Sequence, residues 1–222
     1  METYKVKVLD AEFINYNVKR FILEKPEGYS FVPGQCAQLA INKPGWDTTS
    51  RSFSFTNLMD QNYLEFLIKI YPQNKGMSFE MGKTNAGAEM LLTAPFGAIS
   101  YKGPGVFLAG GAGVTPFIAI IRQLYKQNQL RGNKLIYSNN TVEDVILFQE
   151  LQKMLKTDLI PFFSHENKIG FGYNRIDRNF LIAAIKDFSQ FFYICGPKTF
   201  VSDISKMLLD LGANAESLVV EN

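Results

Sequence analysis

Two glycine-bearing turns are the parts of this 222-residue chain best suited to hold a charged ligand. In the first, Val106-Phe107-Leu108-Ala109 runs into Gly110-Gly111-Ala112-Gly113, and Thr115-Pro116 then opens a helical pattern. Apolar Val114, Phe117, Ile118, Ile121 and Leu124 recur at three- and four-residue spacing and so share one face. Proline fits the first helical turn, where its missing N–H costs nothing. The pattern predicts a buried strand, a tight turn and a helix N-terminus. Such a turn brings main-chain N–H groups close to a diphosphate, and the helix dipole favours the negative charge. A plain strand-to-helix turn would use the same residues. The second turn repeats the design. Phe191-Phe192-Tyr193-Ile194 ends in Cys195-Gly196-Pro197, and Lys198 to Leu211 follows as a helix with Gly212 at its C-cap.

Much earlier in the chain stands Arg51-Ser52-Phe53-Ser54. Taken with Pro33-Gly34-Gln35, Ile68-Lys69-Ile70-Tyr71, Lys75-Gly76-Met77-Ser78 and Ala94-Pro95-Phe96-Gly97, this series of motifs resembles the ferredoxin–NADP reductase superfamily of flavoenzymes, especially its cytochrome b5 reductase branch. The likeness runs over nearly the whole chain. It implies FAD as cofactor and NADH or NADPH as hydride donor.

The resemblance also implies residue roles. Arg51 would hold a phosphate through a bidentate, charge-assisted contact, Phe53 would lie against the flavin ring, and Ser54 would sit near flavin N5, with Ser52 beside them. The family usually has tyrosine where Phe53 stands, so the stacking is kept and one hydrogen bond is lost. Outside this context Arg51 reads as a surface arginine and Phe53 as a core residue. Ile68, Lys69, Ile70, Lys75, Gly76, Met77 and Ser78 match the flavin-diphosphate segment. Ordinary capping by Ser78 is the alternative there. Gly111, Gly113, Thr115, Pro116, Cys195, Gly196 and Pro197 match the nicotinamide-nucleotide segments, with Cys195 near the nicotinamide C4. Glu221 matches the family's near-terminal glutamate, without the aromatic residue usual after it. Ser54, Cys195 and Glu221 are therefore the candidate catalytic residues. Where relatives place an arginine for a 2′-phosphate, this chain has Ser138-Asn139-Asn140-Thr141, which favours NADH; Lys168 and Arg175 are the nearby cations that could favour NADPH.

Two kinds of element must position these residues. Residues 1–102 read as short strands with turns: Tyr4–Val8, Val18–Leu23, Cys36–Ile41, Ser52–Thr56 and Leu64–Ile70, with a helical patch near Ser78–Gly82. They predict a small antiparallel β-barrel, the FAD-binding domain. Residues 103–222 alternate strand and helix, which predicts a parallel-sheet, Rossmann-like α/β domain for the nucleotide. Here the strands are Val106–Ala109, Leu135–Ser138, Leu159–Phe163, Phe191–Cys195 and Leu218–Val220. The helices run from Thr115 to about Leu130, Val142 to Leu155, Arg178 to Ile185, and Lys198 to Leu211. The whole is an α+β two-domain chain.

Composition narrows the function classes. Net charge is +2 with no bias between the halves, which argues against nucleic acid. No apolar stretch reaches membrane-spanning length and no signal peptide is visible, and with two cysteines far apart in the chain no disulfide framework is expected, so the expected location is cytoplasmic. The two cysteines, Cys36 and Cys195, cannot supply the four ligands of a cysteine-held iron–sulfur cluster. A single histidine, His165, makes a zinc or iron site improbable, and no metal is expected. The expected activity is an FAD-dependent NAD(P)H oxidoreductase that delivers single electrons to a separate carrier: ferredoxin, flavodoxin or an oxygenase component. A reductase of free flavin and a non-catalytic electron-transfer subunit are the alternatives.

Overall fold

A computed structural model describes residues 3–167 and 169–221. They form two compact units: residues 3–97 with Thr115–Arg122, and Ala98–Val114 with the described residues from Gln123 to Glu221.

The first unit is an antiparallel barrel. Its strands are β1 (Thr3–Phe13), β2 (Val18–Glu24), β3 (Cys36–Ile41), β4 (Arg51–Ser54), β5 (Tyr63–Lys69) and β6 (Glu89–Thr93), in the order β4-β3-β6-β1-β2-β5. The period-two pattern of β1 buries Val6 and Val8 and exposes Lys5 and Lys7. The end strands β4 and β5 meet through a bridge between Phe55 and Phe66, and Thr56 N–H donates to the Glu65 carbonyl at 3.0 Å. This seam nearly closes the barrel. The interior is aromatic and aliphatic, with Phe31 stacked on Phe55 at 4.1 Å and Phe21, Leu39, Phe66 and Leu92 around them. A short helix, α1 (Met77–Lys83), drops Met77 and Met81 into the same core.

The second unit is a parallel sheet of β7 (Gly105–Gly110), β8 (Lys134–Asn139), β9 (Leu159–Phe163), β10 (Gly172–Tyr173), β11 (Phe191–Cys195) and β12 (Leu218–Val220). Their order is β10-β9-β8-β7-β11-β12. All six residues of β7 are buried, as a strand covered on both faces requires. The helices are α2 (Thr115–Lys126), α3 (Phe148–Leu155), α4 (Arg178–Ala184) and α5 (Lys198–Asp210). The Tyr193 hydroxyl accepts from the N–H groups of Lys102 and Gly103 and donates to the Gly103 carbonyl, tying the approach to β7 against β11.

Two local expectations change, and two short strands were not foreseen. The helix foreseen over Val142–Leu155 is a single 3-10 turn, Val142–Asp144, followed by α3. Thr141 and Asp144 form a capping box that closes the turn, and Leu147 takes a left-handed φ of 53°, which interrupts helical geometry. Helix α2 stops at Lys126 instead of about Leu130, because Asn128 has a φ of 57°. Strands β6 and β10, five and two residues long, lacked a distinguishing periodicity.

Candidate functional site

In the second unit the strand order reverses between β7 and β11, and ligands of open α/β sheets bind beyond the carboxyl ends of the strands at such a switch point. Both glycine-bearing turns lie there. Cys195 pairs with Ala109, so the ends of β7 and β11 are side by side. Gly111 has a φ of 54°, open to glycine with little penalty. Gly113 serves close approach instead: a Cβ there would stand 2.3 Å from the Cys195 carbonyl oxygen. Helices α2 and α5 begin directly after these turns, capped by Val114 and Pro197 without a side-chain hydrogen bond. Pro116 sits in the first turn of α2. No side-chain oxygen caps either helix start, which suits an anionic ligand.

Cys195 is half-buried, and its thiol lies 3.9 Å from Glu221 Oε2. Burial first, and then the Glu221 carboxylate, pushes the thiol pKa up to about 12. Such a shift keeps the thiol neutral through the physiological range. The sheet brings Gly113, the Cys195-Gly196 pair and Glu221 together from three separate parts of the sequence.

In the first unit, Arg51 and Ser52 are exposed on β4, Phe53 is half-buried against the barrel core, and Ser54 is buried. Arg51 donates one guanidinium hydrogen bond to the Ser50 carbonyl at 2.8 Å. Strand β4 ends at Ser54, and the next residues turn across the seam. The Phe55–Phe66 bridge is antiparallel, so Arg51 runs toward the Ile70 end of β5, from which residues 71–76 lead into α1. Ile68 and Ile70 are buried in the barrel core, and Lys69 between them is partly exposed. Gly76 caps α1 without a side chain, and nothing stands within 4 Å of where its Cβ would be. The start of α1 is thus an open cradle with main-chain donors, which fits a diphosphate.

The end of β8 carries carboxylates. Val142 N–H donates to Glu166 Oε2 at 2.9 Å, and Thr141 donates through its N–H and its hydroxyl to Asp144 Oδ2. Arg175 is exposed beyond β10, and Lys168 lies outside the described residues. His165 is exposed, its N–H donating to the Asn140 carbonyl.

One buried polar set had no sequence signal. Arg122 Nη1 lies 2.6 Å from Glu65 Oε1 and 2.9 Å from the Thr56 carbonyl oxygen, while the Thr56 hydroxyl donates to the same carboxylate oxygen at 2.7 Å. These residues are 57 and 66 positions apart from Arg122 in the chain. Only tertiary structure joins them. Among the described residues no group of three or more His, Cys, Asp or Glu is placed to hold a metal ion, and no helix is long and apolar enough to cross a membrane.

Comparison with known proteins agrees with this geometry. Residues 5–101 match the oxidoreductase FAD-binding domain family, and residues 107–206 match the oxidoreductase NAD-binding domain family. A solved ferredoxin NADP+ reductase from Neisseria gonorrhoeae with bound FAD and NADP superposes with a TM-score of 0.86 at 21% identity, covering 100% of this chain and 99% of that one. Among curated proteins, NADH-cytochrome b5 reductase 1 of Coccidioides immitis is 28% identical over 95% of this chain and 75% of its own length. The propane 2-monooxygenase reductase component of Rhodococcus jostii is 33% identical over 59% of this chain, which spans only 36% of that protein. The chain is thus an oxidoreductase FAD-binding domain followed by an oxidoreductase NAD-binding domain, and its two-unit fold is that of the ferredoxin–NADP reductases. FAD and a nicotinamide dinucleotide are the cofactors that this pair of domains binds.

Proposed function

We propose that the chain is an FAD-dependent reductase that takes hydride from a nicotinamide nucleotide at flavin N5 and passes electrons singly to a separate carrier protein. A ferredoxin, a flavodoxin or an oxygenase component has the chemistry of such a carrier. The observation that supports this reading most is the succession of an FAD-binding barrel and an NAD-binding unit whose strand ends meet at Gly113 and Cys195. Bound FAD supplies the conversion between two-electron and one-electron chemistry. The protein supplies binding and orientation. Arg51 and the main chain of Lys75–Ser78 hold the diphosphate, Phe53 covers the isoalloxazine, and Ser54 places its hydroxyl near N5. Gly111, Thr115, Pro116 and Pro197 shape the nucleotide's seat. Cys195, kept neutral and hydrogen-bonded to Glu221, aligns the nicotinamide. Two free cysteines, Cys36 and Cys195, suit a reducing compartment, the cytoplasm.

The decisive measurement is the spectrum of the purified protein, titrated anaerobically with each nucleotide. About one FAD per chain, bleached by NADH and held afterwards, is expected. A colourless protein that fails to bind added FAD overturns the reading. Release of the reduced flavin identifies a reductase of free flavin instead, and a bound flavin that neither nucleotide bleaches identifies a non-catalytic subunit. The Arg51→Ala variant is expected to lose FAD without unfolding, because an exposed phosphate contact is removed and no core packing. Equilibrium dialysis at low FAD concentration checks this, and full flavin retention would remove Arg51 from the site.

NADH is expected to serve better than NADPH. The carboxylates of Glu166 and Asp144 already take the Val142 and Thr141 N–H groups at the end of β8, and they repel a 2′-phosphate. The test is kcat/KM for both nucleotides with an artificial acceptor, in the wild type and in Glu166→Gln. The variant should gain activity with NADPH more than with NADH. A wild-type NADPH preference that fades with salt would overturn the claim and point to Arg175 and Lys168.

A further inference from the structure

Lys19, on β2, is 2% exposed, so its ammonium is inside the barrel wall. Its Nζ donates to the Thr84 carbonyl at 2.6 Å, to the Gly82 carbonyl at 3.0 Å and to Asn85 Oδ1 at 3.1 Å. Three donors thus meet three oxygens, and none of these partners is a carboxylate. The Phe13 and Phe21 rings lie 5.3 and 5.6 Å from the ammonium. Burying a cation without an anion is expensive, and a methionine would fill the same space more cheaply. What the cation does here is specific. Gly82 and Thr84 are the last turn and the C-cap of α1, where carbonyl groups lack helical partners and the dipole is negative.

We propose that Lys19 is a positioning residue for FAD: its ammonium pins the C-terminal end of α1 to β2 and so sets the place and direction of the Lys75–Ser78 segment. This deepens the proposed function and rests on the reading of that segment as the diphosphate cradle. The helix is held at its C-terminal end by Lys19, along its length by Met77 and Met81 in the core, and by the Lys43–Glu80 ion pair, while nothing stands within 4 Å of where a Cβ on Gly76 would be. A seven-residue helix has too few internal hydrogen bonds to hold its own direction, so its anchors decide where its first N–H groups point.

The test compares FAD with riboflavin, which lacks the diphosphate and the adenosine. Apoprotein is titrated with each ligand, following flavin fluorescence, for the wild type, Lys19→Met, Asn85→Ala and Leu23→Ala. The last is a core change in the same barrel that controls for general loss of stability. The expected result is that Lys19→Met weakens FAD by about tenfold or more, the loss of one charged hydrogen bond, and riboflavin by less than about twofold. Asn85→Ala removes one exposed acceptor and should shift the FAD-to-riboflavin ratio the same way by a few-fold, which keeps the test decisive if Lys19→Met does not fold. Leu23→Ala should leave the ratio at the wild-type value. A wild-type ratio in both Lys19→Met and Asn85→Ala, or in Asn85→Ala where Lys19→Met fails to fold, overturns the inference alone. Wild-type protein that binds FAD no better than riboflavin overturns the diphosphate role of Lys75–Ser78, and the inference falls with it.

Discussion

Arg122→Met is expected to cost roughly 3–5 kcal/mol of unfolding free energy, the range for removing one partner of a buried ion pair. The Glu65 side chain is 8% exposed and that of Arg122 is 20% exposed, so solvent cannot take over the lost contact. The substitution leaves the Glu65 carboxylate its bond from the Thr56 hydroxyl, and leaves the Thr56 carbonyl without its guanidinium. The damage falls on the segment after Ser54 and on the first turns of α2, both of which belong to the first unit. Replacing both residues, as Arg122→Met with Glu65→Leu, should recover a substantial part of the loss, because no uncompensated charge is then buried. Urea unfolding at fixed FAD concentration gives the double-mutant cycle, since bound cofactor shifts apparent stability. A cost below about 1 kcal/mol for Arg122→Met would place the pair among ordinary surface salt bridges.

Gly113→Ala should slow flavin reduction on the order of a hundredfold, since misplacement of reacting groups by about 1 Å has that effect. The added Cβ would stand 2.3 Å from the Cys195 carbonyl oxygen, 2.4 Å from its carbonyl carbon and 2.6 Å from the Gly196 nitrogen. All three are main-chain atoms, so no flexible side chain can yield. The turn and the end of β11 must separate, moving the Cys195 thiol away from its place beside the turn. Overpacking of this kind also costs roughly 1–3 kcal/mol. Gly111→Ala is the informative contrast. It meets no atom within 4 Å, and its φ of 54° costs only about 1 kcal/mol for a side chain. Stopped-flow reduction by NADH and calorimetric binding of NAD+ separate the two variants, and FAD content should stay at the wild-type level in both. A wild-type reduction rate and NAD+ affinity in Gly113→Ala would detach this turn from nucleotide binding.

Residues close together in sequence made the two-unit fold legible. The apolar runs at Val106–Ala109 and Phe191–Cys195 read as strands because continuous burial leaves a local signature, and the glycines after them read as turns because few other residues allow the geometry. The alternation in Tyr4–Val8 and the three-to-four spacing in Val114–Leu124 are likewise local. So is the series of motifs from Arg51 to Pro197, which by itself was enough to identify the superfamily and its pair of cofactors. Tertiary structure decided the rest. Periodicity ran through Val142–Leu155, yet the Thr141–Asp144 capping box and the left-handed Leu147 broke the helix, because side-chain hydrogen bonds to the main chain compete with helical ones. Lys19 reads as an exposed strand lysine until β2 is laid against the end of α1, 65 residues later. Arg122 reads as one charge on an amphipathic helix until the barrel seam brings Thr56 and Glu65 to it. Glu221 meets Cys195 because β12 pairs with β11 and carries it there. A polar side chain is drawn inward by partners that make its burial affordable, and those partners lie at sequence distances no local pattern spans.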